Sequence, residues 1–396
     1  MREAVIVASV RTPGGRAKRG GLKDTRADVL GLTAIKGALE KVPELKPEMI
    51  DDLVVGCSFP EAEQGLNLGR VLTQIVGLPD HVPGYVINRF CSSGLQAIAL
   101  AAQNIMCGWN DIVLAGGVES MSRVPMGGFI NRPHPDWTDE YPDVYMSMGS
   151  TAENVANRYN ISREAQDEFA VRSNELSAQA QDKGYFDEEL VPITEAVKYK
   201  VDKDGKRVKE WYTFAADDGV RRGTTMQTLG KLRPAFWKGG SVTAGNSSQM
   251  TDGGACSVLM SREKAEELGL KPIAKFVNFQ VAGVRPDEMG VGPAYAIPKL
   301  LDKTGLKTDD IDYFEINEAF ASQALYSAQK VGIDNRMDDI NCCGGAIALG
   351  HPLGCTGAKL TATCIHQMRR RGNKRGIVSM CIGGGMGAAG LIELED

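Results

Sequence analysis

Leu45-Lys46-Pro47-Glu48-Met49-Ile50-Asp51-Asp52-Leu53-Val54-Val55 is echoed far down the chain by Leu306-Lys307-Thr308-Asp309-Asp310-Ile311-Asp312-Tyr313-Phe314-Glu315-Ile316. Each copy passes from a polar, turn-forming stretch into a short apolar run, the pattern of a turn that feeds a strand. The echo continues outward. Cys91-Ser92-Ser93-Gly94, ahead of the apolar segment Leu95–Met106, is answered by Gly354-Cys355-Thr356-Gly357. Ile112-Val113 leading into Gly116-Gly117 is answered by Ile377-Val378 leading into Gly383-Gly384-Gly385. Two copies about 260 residues apart (306 against 45) make a duplicated α/β unit with a pseudo-twofold axis; a solenoid needs more and shorter repeats.

Around the echo, strands alternate with helical patterns. Ala4–Val10, Leu53–Gly56 and Ile112–Ala115 read as strands and Ala27–Val42 as a helix, which is α/β alternation. The texture changes between 121 and 249. A proline-rich loop leads to a helix that the capping-box pattern Ser150-x-x-Glu153 would open. A helix from about Ser162 to Lys183 and a charged hairpin around Asp204-Gly205 follow. Ala255–Met260 then reads as a strand of the first half. The expected organisation is a first half of residues 1–120 plus 250–270, an inserted loop domain of 121–249, and a second half of 271–396. The hairpin's basic residues, Lys198 to Lys209, read as a solvated face. The helical segments that follow Gly94 (Ile98, Leu100, Ile105) and Gly357 (Leu360, Ile365, Met368) are apolar nearly all round and should lie as central helices buried between sheets.

Composition narrows the function classes. The chain is 43% hydrophobic and 24% charged, a globular balance, and its net charge of −5 gives no bulk attraction to nucleic acid or anionic membrane. It contains no apolar run of about 18 residues, so no membrane span is expected. Nine cysteines without a C-x-x-C pair, beside only four histidines, suit a reducing compartment and argue against a metal site. A strand starting at Ala4 leaves no room for a leader, and the acidic end is no peroxisomal address; a cytoplasmic protein is expected.

Cys91 follows the β-branched pair Val86-Ile87 and opens a helical segment. Helix-start N–H groups can lower a thiol from about 8.5 to roughly 3.5–7.5, so Cys91 is a candidate nucleophile with a depressed pKa. Further polar stretches punctuate the chain. They are Thr243-Ala244-Gly245-Asn246-Ser247-Ser248-Gln249, Glu315-Ile316-Asn317-Glu318-Ala319-Phe320, Gly344 to Gly354 with His351, and Cys381-Ile382-Gly383-Gly384-Gly385-Met386-Gly387. Taken in order along the whole chain, they resemble the motifs of the thiolase family: the nucleophile motif, the G-N-x-S turn, N-E-A-F, G-H-P-x-G and C-x-G-G-G.

That resemblance implies a five-layered αβαβα fold of two duplicated halves with an inserted loop domain, working as a homodimer or homotetramer. It implies an acyltransferase that cleaves 3-ketoacyl-CoA with coenzyme A, and catalyses the reverse condensation, through an acyl-enzyme on Cys91. His351 would take the thiol proton, and Cys381 would serve the α-carbon as acid and base. The N–H groups of Cys91 and Gly383 would form one oxyanion hole; His351 and a water held by Asn317 would form the other. Arg221 matches the arginine that contacts the nucleotide end of coenzyme A, Ser248 the serine near the pantetheine, and Phe236 an aromatic beside the same arm. On residue type alone, Arg221 could equally be a surface cation and Phe236 a core aromatic. Met148, Ala319 and Phe320 would line the acyl-CoA pocket. Coenzyme A enters as a substrate, with no resident cofactor or metal implied.

The chain departs from the family pattern at Cys343, often a polar position, and at Ser147, often a histidine. The forms Cys91-Ser92-Ser93-Gly94-Leu95-Gln96 and Gly245-Asn246-Ser247-Ser248-Gln249 lean toward degradative 3-ketoacyl-CoA thiolases. The alternatives are a biosynthetic acetyl-CoA acetyltransferase and, from another class, a non-catalytic coenzyme A- or lipid-binding relative. Chain-length preference, direction, dimer against tetramer, and a hydratase/dehydrogenase subunit of β-oxidation as a further partner all stay open.

Overall fold

The computed structural model describes residues 2–395. Both copies of the opening repeat fold alike, as a 3₁₀ turn (Pro47–Met49; Thr308–Asp310) ahead of a strand. Each uses its aspartate in the same way. The Asp51 carboxylate accepts the N–H groups of Asp111 and Ile112 (2.6 and 2.9 Å), and that of Asp312 accepts those of Lys374 and Arg375 (2.8 and 2.9 Å). The aspartates therefore fix where the next parallel strand begins, and burying the strands keeps that register from slipping.

The strands in chain order are β1 (Ala4–Arg11), β2 (Gly15–Arg16), β3 (Asp52–Gly56), β4 (Tyr85–Ile87), β5 (Ile112–Ser120), β6 (Ile193–Val201), β7 (Arg207–Phe214), β8 (Thr251–Ser261), β9 (Ala274–Gly283), β10 (Tyr313–Ile316), β11 (Arg375–Ile382) and β12 (Met386–Leu394). They hydrogen-bond in the order β10-β11-β12-β9-β1-β8-β5-β3-β4, with β2 beside β8 and the hairpin β6-β7 apart. In each half a parallel pair (β3 with β5, β10 with β11) is followed by antiparallel partners. The halves meet through the short pairing of Val5 and Ile6 with Lys275 and Ala274.

Alternation along the strands creates the layers, since successive side chains face opposite ways. In the first half Leu53, Val55, Ile112, Leu114, Val258 and Met260 pack outward with the helices Ala27–Glu40 and Leu68–Val76. Their neighbours Val54, Val113, Ala115 and Leu259 face inward, into one core with Val378, Met380 and Ile382 of the second half. Two central helices, Ser93–Met106 and Leu353–Arg371, fill that shared core. On the far side Ile377 and Leu391 pack against Gly292–Thr304. The layers are helix, sheet, helix, sheet, helix. The central helices cross closely because each offers a glycine to the other's backbone. A methyl at Gly94 would lie 2.7 Å from the Ala358 nitrogen, and one at Gly357 would lie 2.3 Å from the Leu95 nitrogen.

Three expectations need correction. Strand β5 does not stop at the glycines but runs to Ser120, because β8 pairs with it along its length. The register also shifts the second echo: Asp52 faces Val113 and Tyr313 faces Gly376, so Cys381 occupies the place of Val118. Third, the helix at 150 begins earlier, at Met148, and its N-cap is Ser147, whose hydroxyl accepts the Ser150 N–H (3.2 Å). Glu153 is no capping residue. It is buried and accepts the N–H groups of Ser241 and Val242 (2.9 and 3.0 Å), which outweighs a local bond. The basic hairpin face is paired and stacked: Lys200 meets Glu210 at 2.5 Å, and Arg207 lies over Tyr199. Among the described residues no helix is long and apolar enough to cross a membrane.

Candidate active site

A cavity of about 490 Å³ opens where the segment 121–249 lies over the ends of both central helices. Cys91, His351 and Cys381 all face it. Cys91 sits on a 3₁₀ turn, Phe90–Ser92, directly ahead of its helix. Phe90 adopts φ 42°, a left-handed conformation costly for a non-glycine residue. Asn88 and Ser93 compensate: the Asn88 side-chain oxygen accepts the Phe90 N–H (2.8 Å), while the Ser93 hydroxyl accepts the Arg89 N–H (2.9 Å) and donates to the Phe90 carbonyl (2.6 Å).

The expected depressed pKa of Cys91 is overturned. Burial, at 1% exposure, pushes the thiol up to about 12, although the N–H groups of Gly383 and of Cys91 itself act the other way. Desolvation of a thiolate outweighs two backbone dipoles here. Cys381, near the end of β11, is pushed well above its ordinary value by burial and then by Cys91 nearby. Burial thus favours the neutral thiol at both positions.

His351 is held by a hydroxyl that the sequence reading missed. Its Nδ1 lies 2.6 Å from the Thr356 oxygen, and that hydroxyl donates to the Pro352 carbonyl (2.9 Å). With its proton so used, Thr356 accepts from Nδ1–H, which leaves the Nε2 lone pair free. The Asn317 side-chain nitrogen lies 3.3 Å from Nε2, the right partner for a lone pair. Burial, and after it the charge of Lys359, pushes His351 down to about 3, so the ring is neutral. Lys359 is itself buried. It donates to the carbonyls of Leu349 and Gly350 (3.1 and 2.8 Å), the two residues before His351, and burial lowers it to about 8.

Asn317 closes β10, and its side-chain oxygen is buried with no hydrogen-bond partner among the described residues. Glu318 beside it turns away, accepting from Ser173 (2.5 Å), Asn341 (3.0 Å) and the Ile347 N–H (3.2 Å), and so braces the loop that delivers His351. Glu119, in β5, ties the head of the second central helix to the loop after β3, accepting the N–H groups of Gly354 and Ser58 at 2.8 Å each. A lysine among the small and apolar residues of the first turns of that helix was a visible signal for Lys359. Glu119 carried none, since its partners come from chain crossings, and Thr356 is an ordinary helix hydroxyl until His351, five residues before it, is placed against it.

The other expected residues gather on the same cavity. Arg221, half-buried, donates to the Ala244 carbonyl (3.3 Å), with its backbone held by Asn174. It lines the wall with Ser248, Met148, Ala319 and Phe320. The Ser248 N–H donates to the Ala319 carbonyl (2.9 Å), joining the two stretches. Phe236 is 43% exposed, so it is no core aromatic; it meets Phe320 edge-on at 6.0 Å and packs on Gly149. Gly383 lies just behind the wall, with its N–H toward Cys91. Ser147 also lines the cavity, so the small residue there serves both cap and pocket. The arrangement offers a thiol nucleophile, a neutral imidazole with its lone pair inward, a second thiol, and backbone donors aimed at the first sulfur.

Comparison with known proteins agrees with this geometry. The sequence matches the family "Thiolase, N-terminal domain" over residues 4–263 and "Thiolase, C-terminal domain" over residues 270–394. It is 52% identical over 394 residues to the 3-ketoacyl-CoA thiolase of Bacillus subtilis, covering 100% of each chain. Among solved structures, the acetyl-CoA acetyltransferase of Bacillus anthracis superposes with TM-score 0.88 at 41% identity, covering 100% of this chain and 99% of that one. The dimeric peroxisomal thiolase of Saccharomyces cerevisiae superposes with TM-score 0.88 at 40% identity, covering 100% and 98%. The chain belongs to the thiolase family of acyltransferases.

Proposed function

We propose that the protein cleaves 3-ketoacyl-CoA esters longer than four carbons with coenzyme A. The observation that carries this is the convergence of Cys91, His351 and Cys381 on one cavity. Proton transfer from a thiol at about 12 to an imidazole at about 3 is uphill before substrate arrives. The transfer to Nε2 is therefore coupled to attack of the Cys91 sulfur on the substrate's keto carbon. The resulting oxyanion takes the N–H groups of Cys91 and Gly383. As the bond between the α-carbon and the keto carbon breaks, Cys381 protonates the departing acetyl-CoA enolate, whose oxygen is held by His351, now carrying a proton on Nε2, and by a water on the open oxygen of Asn317. Each donor is worth about 10²–10³ in rate. A coenzyme A thiol, giving its proton back to the Cys381 sulfur, then attacks the acyl carbon; the bond to the Cys91 sulfur breaks, and that sulfur recovers its proton from Nε2 of His351.

In this reading Arg221 meets the coenzyme A phosphates, Ser248 and Phe236 flank its pantetheine arm, and Met148, Ala319 and Phe320 border the acyl group. The division into 1–120 plus 250–270, 121–249 and 271–396 separates two catalytic halves from the coenzyme A-binding segment. A homodimer or homotetramer in the cytoplasm, serving fatty acid β-oxidation, fits the dimeric yeast relative and nine free thiols. The biosynthetic reading draws on the Bacillus anthracis acetyl-CoA acetyltransferase. Thiolysis rates on C4, C6, C8 and C10 substrates decide between them. Serine at 147 leaves room for the chain, each buried CH₂ being worth up to about 0.8 kcal/mol, so kcat/KM should rise from C4 to at least C6. Activity on acetoacetyl-CoA alone would establish the biosynthetic reading instead.

A further inference from the structure

Cys342 and Cys343 open the loop that ends at His351, and thiolysis has no use for them. Their sulfurs are 3.8 Å apart. Cys343 is buried and gives its S–H to the Gln367 side-chain oxygen at 3.1 Å; Cys342 is only half-buried. Arg370 lies over the pair, with Nη2 3.6 Å from the Cys342 sulfur and 4.0 Å from that of Cys343. The guanidinium is locked there, donating to Gln367 at 2.7 Å and stacked 3.8 Å above the Tyr185 ring, on the wall of a surface cleft. We propose that Cys342 and Cys343 form a modification site for hydrogen peroxide, in which Cys342 is the reacting thiol and Cys343 the resolving one.

Three properties mark a thiol for such chemistry: access, a neighbouring cation, and a second thiol in reach. Cys57, Cys91, Cys256, Cys355, Cys364 and Cys381 are buried, and Cys107 is exposed at the far end of the first central helix. Cys342 combines all three. The neighbouring Cys343 thiol, then the Tyr313 hydroxyl and the charges of Arg371 and Arg370, hold Cys342 below its ordinary value against its burial. The Cys342 thiolate attacks one peroxide oxygen; the O–O bond breaks, hydroxide leaves and takes up a proton as water, and the sulfur is oxidised by two electrons to a sulfenic acid. Cys343 then loses its proton and attacks that sulfur. The S–O bond breaks, water leaves, and a disulfide between adjacent residues remains.

The loop has little room to absorb that ring. The Cys343 carbonyl accepts the Ser177 hydroxyl (3.0 Å), and Asn341 binds the backbone of Ile316 through both ends of its amide (2.9 and 2.8 Å). Turning the 342–343 peptide therefore pulls on the end of β10 beside Asn317. To test this, full-length protein is titrated with hydrogen peroxide and mapped by peptide mass spectrometry without reduction. The expected result is loss of two hydrogens across Cys342 and Cys343, reversed by dithiothreitol, before any change at the other cysteines. In Cys343→Ser, which leaves the catalytic groups in place, dimedone should trap a sulfenic acid at Cys342. Oxidation of Cys91, Cys381 or Cys107 ahead of an intact pair, or no adduct at Cys342 in the variant, would overturn the proposal.

Discussion

The two halves share a scaffold and divide the chemistry. At the heads of the central helices an offset of 263 residues (357 against 94) pairs Cys91 with Gly354, Ser93 with Thr356, and Gln96 with Lys359. In the first half the Ser93 hydroxyl secures the strained turn that presents Cys91. In the second, the matching Thr356 hydroxyl orients the imidazole of His351. Gly354 explains why there is no second nucleophile: a methyl there would lie 2.6 Å from the Cys57 Cα and 2.7 Å from the Glu119 carboxylate. The first half fills the slot from which a thiol would project. Likewise Gly56, where a methyl would lie 2.4 Å from the Gly94 nitrogen, corresponds to Asn317, whose side chain reaches His351. Duplication supplies two helix heads, and packing permits only one to carry the nucleophile.

The division of labour is broken most severely by removing the thiols one at a time. We expect Cys91→Ala to lose turnover by roughly 10⁴-fold or more and to take up no acetyl group from acetyl-CoA. Cys381→Ala should lose turnover comparably yet still be acetylated at Cys91, because only the α-carbon step needs the second thiol. Mass spectrometry of the acetylated peptide separates the two. Acetyl groups on Cys381 with none on Cys91 would reverse the halves' roles, and near-normal turnover of Cys381→Ala would make that thiol a packing residue.

A smaller effect probes the slot itself. Gly354→Ala should destabilise the protein by about 1–3 kcal/mol, since the clash is with backbone on one side and a clamped carboxylate on the other. Gly283→Ala is the control. A methyl there meets nothing within 4 Å, so its thermal midpoint should stay close to that of the parent. Equal midpoints for the two variants would show that the second helix head has room to spare, and the packing account of the asymmetry would fail.

Much of this was legible in the chain. The Asp51 and Asp312 turns, the apolar central helices and the stretches around Cys91, Asn317, His351 and Cys381 are local patterns, and local patterns survive in sequence. The capping helix was misplaced because Glu153, three residues after Ser150, looked like a local partner while its real partners lie near 241, and only the folded chain brings them together. The ionisation of Cys91 was misjudged for a similar reason. Helix-start N–H groups follow from position along the chain, whereas the burial that outweighs them comes from three separate regions. Thr356 went unnoticed because a hydroxyl in a helix has no signature until its proton is traced to Pro352.

The last and subtlest test concerns the pair Gln96 and Lys359. In the first half Gln96 accepts from Arg89 at 2.7 Å, a neutral side chain bracing the loop before Cys91; in the second, a buried ammonium braces the loop before His351. If bracing were all, a neutral residue would have served both. The positive charge also disfavours imidazolium, adding to burial in holding His351 down at about 3. Catalysis needs the free Nε2 lone pair, so activity is present above the His351 pKa and lost as pH falls through it. Lys359→Met removes the charge, raises that pKa, and should move the acid limb of the kcat/KM profile to higher pH. Lys359→Arg keeps a charge and should restore the limb even where it fits less well and lowers kcat. An acid limb unmoved in Lys359→Met, with kcat alone reduced, would leave Lys359 as a brace and make the two halves more alike than their charges imply.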